Sequence, residues 1–76
     1  MIYSVFIGKY KTPKIPKSDL KKLNSLGYSG YLFSRNDYYS VKVTSTPKKE
    51  LADAVAVKFR KLGFLVEIDY FTNEKQ

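Results

Sequence analysis

A chain of 76 residues is too short to hold two cores, and its 43% hydrophobic content, with five Phe and seven Tyr, is that of a folded unit rather than a disordered one. Cysteine and histidine are both absent, which excludes a disulfide framework, thiolate chemistry, histidine general-base catalysis and the commonest metal sites, so no cofactor or metal is expected and the chain is expected to bind rather than catalyse. Fourteen Lys and Arg against seven Asp and Glu leave a formal charge of +7, enough to draw the protein toward polyanions, although the same lysines also serve solubility.

Along the chain, Tyr3, Val5 and Ile7 alternate with Ser4 and Phe6 over residues 2–8, the period of two that a strand requires. The chain thus opens on strand-like residues, no apolar run reaches the ~20 residues of a membrane span, and neither an export signal nor membrane insertion is expected. Residues 9–17 carry Pro13 and Pro16 and read as a loop, because proline lacks an amide donor and turns its predecessor away from helix. Ser18 is the expected N-cap of a short helix with Leu20 and Leu23 on one face, ending at Leu26-Gly27.

Residues 28–34 form the second predicted strand, and the turn Arg35-Asn36-Asp37 leads into a third, 38–44, so the two make an antiparallel hairpin. Thr46 as N-cap and Pro47 at the first helical position open a second helix whose Leu51, Val55, Phe59 and Leu62 share one side, and Gly63 ends it. The last strand, 64–71, puts Val66, Ile68 and Tyr70 on one face, and the polar tail 72–76 is expected to fray.

Tyr3-Ser4-Val5 returns as Tyr39-Ser40-Val41 and Leu26-Gly27-Tyr28 returns as Leu62-Gly63-Phe64, both at one constant offset, while Thr12-Pro13-Lys14 returns as Thr46-Pro47-Lys48. The halves 2–34 and 38–71 therefore read as copies of one strand-helix-strand unit within a single domain, 1–76. The order βαββαβ with right-handed crossovers predicts an α+β, ferredoxin-like fold: a four-stranded antiparallel sheet with both helices packed on one face. Alternation turns Val5, Ile7, Tyr28, Gly30, Leu32, Val41, Val43, Val66 and Ile68 toward the helices. The opposite set is Ser4, Phe6, Ser29, Tyr31, Phe33, Tyr38, Ser40, Lys42, Leu65, Glu67, Asp69 and Phe71, so five aromatic rings are expected to face solvent.

An uncovered aromatic patch marks a ligand or partner surface. Rings beside hydroxyls and cations suit sugars, which offer flat C–H faces, and single-stranded nucleic acid, which offers bases and phosphates. The third strand, Tyr38-Tyr39-Ser40-Val41-Lys42-Val43-Thr44, lacks the glycine and paired aromatics of an RNA-recognition signature, which weakens the second ligand class. A sheet-to-sheet pair of copies would also cover the patch, so a monomer or a weak homodimer is expected. Glu67 and Asp69, two apart on a strand, share a face and read as charge balance on a last strand rather than as a glycosidase pair. The lysines at 9, 11, 14, 17, 21 and 22 form the densest cationic group, available to a polyanion or simply solvated.

The segments Tyr3-Ser4-Val5-Phe6-Ile7-Gly8-Lys9-Tyr10 and Tyr38-Tyr39-Ser40-Val41-Lys42-Val43, together with the run from Ala52 to Leu62-Gly63-Phe64, resemble the two half-motifs of the SPOR (sporulation-related repeat) family across nearly the whole chain. The resemblance implies a noncatalytic module of the cell envelope that binds peptidoglycan, in particular glycan strands stripped of stem peptides, through the open sheet face, in the context of cell division or sporulation. Carried over by position, it points to Ser4, Phe6, Tyr38, Ser40 and Lys42 as central, with Tyr31 and Phe33 beside them and Arg35 at the rim. Two departures stand out: Phe6 occupies a position where the family often has Gln, and Thr44-Ser45-Thr46-Pro47 replaces a glycine-containing turn. The alternatives to glycan binding are a small basic protein for nucleic acid or another polyanion, of phage or mobile-element type, and a self-associating assembly protein.

Overall fold

The structure, a computed structural model, describes residues 1–71; the expected frayed tail, 72–76, and the side chain of Phe71 lie outside the described residues. Six elements follow in the order β1 (Ile2–Tyr10), α1 (Lys17–Ser25), β2 (Tyr31–Ser34), β3 (Tyr39–Thr46), α2 (Lys49–Lys61) and β4 (Val66–Phe71). The strands make one sheet ordered β2-β3-β1-β4, antiparallel at every junction. This is the ferredoxin-like arrangement that the element pattern predicts.

Alternation decides which residues form the core. Val5, Ile7, Val41 and Val43 point to the helix side and are buried there with Leu23 of α1 and Ala52 and Phe59 of α2. Helix α2 lies across β1, β3 and β4. Its buried stripe differs from the expected one: Ala52 and Ala56 are buried, whereas Leu51 is 53% exposed. Two alanines facing the sheet let the helix backbone come close, and this rotation carries Leu51 outward while Phe59 plugs the centre. The Phe59 ring meets Tyr28 and Phe64 edge-on, with centroids at 5.3 and 5.7 Å.

Both helices stop in the same way. The amides of Gly27 and Tyr28 bond to Asn24 O and Leu23 O, and those of Gly63 and Phe64 bond to Arg60 O and Phe59 O. Gly27 and Gly63 hold φ of 82° and 93°, the left-handed geometry that this double closure needs. The starts of the helices depart from expectation. Neither Ser18 nor Thr46 is an N-cap: Pro16 and Lys48 occupy those positions without a side-chain cap bond. Thr46 is claimed instead by the β1–β3 ladder, where it pairs with Tyr3, and its Oγ1 accepts the Lys48 amide at 3.1 Å. Thr12 Oγ1 accepts the Lys14 amide at 3.4 Å, so both Thr-Pro-Lys segments make one local turn.

Strands β2 and β4 begin later than the expected 28 and 64, because Tyr28 and Phe64 leave the ladder to pack on Phe59. Leu32 stands on the helix side opposite Val41, yet it remains 39% exposed because β2 is an edge strand beyond the reach of α2. No helix among the described residues is long and apolar enough to cross a membrane.

Candidate binding face of the sheet

The face turned away from the helices brings together Ser4, Phe6, Tyr31, Phe33, Ser40, Lys42, Glu67 and Asp69. Phe6 pairs with Lys42 across the β1–β3 ladder, Phe33 with Ser40 and Tyr31 with Lys42 across β2–β3, and Phe6 and Ser4 with Glu67 and Asp69 across β1–β4. Two irregularities shape β1–β3. Val5 faces Thr44 but Phe6 faces Lys42, so Val43 is an extra residue, and a second shift falls between Ile7 and Tyr10 around Gly8, whose φ is 79°. Such bulges re-aim side chains next to binding sites. Here the first brings Ser45 beside Ser4, and their hydroxyl oxygens lie 3.0 Å apart.

Three rings on this face each sit beside a cation. The Arg35 guanidinium carbon lies 4.3 Å from the Phe6 centroid, Lys42 Nζ 4.9 Å from Phe33 and Lys9 Nζ 4.8 Å from Tyr38. Phe6 and Phe33 meet edge-on at 5.5 Å. Each exposed cation–ring contact contributes about 0.5–1 kcal/mol, so the band is ordered but easily rearranged.

The face is less open than expected. Tyr31 and Phe33 are 71% and 38% exposed and Tyr38 is half-buried, but Ser4, Phe6 and Ser40 are buried. The expectation that Phe6 faces solvent is therefore corrected. The turn after β2 holds Arg35 N to Tyr38 O at 2.7 Å and sends the Arg35 side chain over Phe6 as far as β4. There its Nη2 meets Asp69 Oδ2 at 2.7 Å and Glu67 Oε1 at 3.4 Å, while the Tyr38 hydroxyl donates to Glu67 Oε1 at 2.7 Å. Burial pulls the Arg35 guanidinium down, and hydrogen bonds with Asp69 and Tyr38 outweigh it, leaving its pKa raised.

Glu67 and Asp69, read from sequence as charge balance, are the counterions of Arg35. Their place on this face followed from alternation, whereas their partner did not, because nothing local links residue 35 to β4. Lys9 and Ser45 also join the site without having been singled out for it. One hydroxyl stays unmatched: Ser40 Oγ is buried and has no hydrogen-bond partner among the described residues. Hollows flank Tyr38 on both sides, one lined by Ser34 to Tyr38 and one by Gly8, Lys9, Leu65, Val66 and Glu67, and a third opens at Tyr31, Lys42 and Ser45.

Charge is divided unevenly between the two layers. On the sheet face, Lys9, Arg35 and Lys42 are set against Glu67 and Asp69, so most of the excess positive charge lies on the 11–17 loop and the helices. The exposed Lys17, Lys21, Lys22, Lys58, Arg60 and Lys61 belong to that second layer.

No family model matches the sequence, and no curated protein matches it. Among solved structures, the chain is similar to the solution structure of the peptidoglycan binding domain of the B. subtilis cell wall lytic enzyme CwlC, with a TM-score of 0.64 and 21% identity over 93% of this chain and 90% of that one. At that identity the likeness is one of fold.

Proposed function

We propose that the chain is a noncatalytic peptidoglycan-binding module of SPOR type that takes denuded glycan strands on the sheet face away from the helices. The observation that carries this reading is the band of rings paired with cations, Tyr38 with Lys9, Phe6 with Arg35 and Phe33 with Lys42. Such pairs offer a stacking surface for a sugar ring next to donors for its hydroxyls and carboxylates. The fold shared with the CwlC domain supports it, since that domain is named for binding peptidoglycan. Among the described rings of this face, Tyr31 and Phe33 are the most exposed, at 71% and 38%. Sedimentation with amidase-treated sacculi tests the reading: the protein should be retained, and a Tyr31→Ala, Phe33→Ala double variant that still folds should be retained at least tenfold less. Equal retention of the double variant would remove the site.

A second reading, binding of nucleic acid or another polyanion, is favoured by the exposed lysines and arginine of the loop and helices. It requires affinity for single-stranded DNA or RNA that falls steeply with salt and is indifferent to the Tyr31 and Phe33 changes. Weak, salt-insensitive association would count against this second reading.

A further inference from the structure

We infer that Glu67 and Asp69 are a built-in competitor for the ligand's negative charge, holding Arg35 across Phe6 until a carboxylate on the glycan takes their place. This rests on the proposed glycan binding and adds the residues that set its selectivity. The first observation is the reach of Arg35, which leaves the turn after β2 and ends 2.7 Å from Asp69 on β4, at the far side of the sheet. The second is that its route covers a ring: Phe6 is buried, and the guanidinium lies over it at 4.3 Å. The third is the buried Ser40 hydroxyl, without a partner among the described residues, on the same face opposite Phe33. A closed face that strands a hydroxyl gains when a ligand or water reaches it.

The ion pairs themselves are exposed enough to exchange. The side chains of Glu67 and Asp69 keep 52% and 42% of their exposure, so water already competes for them. A sugar carboxylate meeting Arg35 would reproduce the bond to Asp69, and the freed Phe6 face would accept the sugar ring. The ligand class implied is a glycan bearing a carboxylate on its sugar, in preference to a neutral one of the same backbone.

The test compares the full chain with Asp69→Asn and Glu67→Gln on amidase-treated sacculi, either as prepared or with their carboxyl groups converted to amides. Loss of an exposed pair is expected to tighten binding to the unmodified sacculi up to about fivefold, with no gain on the amidated ones. Asp53→Asn, which removes the same charge from α2, should give no gain, and neither should Asp69→Asn placed on Arg35→Ala. A gain shared by Asp53→Asn, or one that persists without Arg35 or on amidated sacculi, would overturn the competitor role. So would sacculus binding that Asp69→Asn leaves unchanged or weakens. An independent readout uses N-acetylmuramic acid with N-acetylglucosamine as the neutral control, followed by the NMR signals of the Arg35 side chain and the Phe6 ring. These should shift with the acid alone, and at lower concentration in Asp69→Asn. If no variant is retained by sacculi but the acid still moves these signals in that order, peptidoglycan binding fails and the competitor stands. If the acid moves nothing, the competitor falls.

Discussion

The Arg35 guanidinium lies over the ring of Phe6, carbon to centroid 4.3 Å, although the two residues belong to the turn after β2 and to β1. With the edge of Phe33 at 5.5 Å on the same ring, this contact accompanies an exposure of only 6% on the uncovered side of the sheet. Phe6 is thereby part of the packing as well as of the candidate site. Phe6→Ala is expected to destabilise the protein by about 3 kcal/mol, whereas Tyr31→Ala, at a largely exposed ring, should cost less than about 1 kcal/mol. Urea unfolding followed by circular dichroism separates the two, and a Phe6→Ala variant as stable as the parent would contradict the burial.

Ser40 is expected to show opposite effects on stability and binding. Its hydroxyl is buried without a partner among the described residues, so Ser40→Ala should leave stability unchanged or raise it by about 1 kcal/mol. If the hydroxyl contacts the glycan, the same variant will be retained less by sacculi. A clear loss of thermal stability would mean that the hydroxyl is bonded after all.

Glycine positions should fail for different reasons. Gly30 is not in the left-handed region, but a Cβ there would press into Val41 Cγ1 and stand 3.1 Å from Lys42 O. Gly27 has open space around it and a φ of 82°. Gly27→Ala should cost about 1 kcal/mol through backbone strain alone. Gly30→Ala should cost about 1–3 kcal/mol and disturb the β2–β3 pairing, and amide exchange in β3 would reveal it. Equal exchange in the two variants would contradict the close packing of Gly30 on Val41.

Alkaline pH should weaken the fold through Tyr10. Burial first, and then its hydrogen bond of 2.8 Å to Asp19, raise its pKa above the ordinary 10.0. Above that value the unfolded chain releases a proton that the folded chain keeps, so the contribution is whole below pH 10 and declines as pH rises beyond it. Denaturation midpoints should fall more steeply above pH 10 in the parent than in Tyr10→Phe. Parallel curves would rule out the linkage.

Much of the architecture could be read from residue order because it depends on local periods. Alternation around Val5, Ile7, Val41 and Val43, and the Leu-Gly-aromatic endings at Gly27 and Gly63, carry their own geometry, and the structure has these strands and helix ends. Where tertiary packing competes with local preference, the reading shifts. Thr46 would cap a helix in isolation, but pairing with Tyr3 keeps it in β3, and Tyr28 extends no strand because Phe59 offers its ring more contact.

The side of the sheet on which the strand residues of the candidate site lie was determined by the sequence itself, since alternation leaves a side chain only two faces to choose from. Whether that face is open was decided only by the folded chain. The order β2-β3-β1-β4 brings the turn holding Arg35 within side-chain reach of Asp69 on the far strand, a span across intervening strands that no local pattern encodes. Long-range attraction between charges placed there by topology then closes the arm over Phe6.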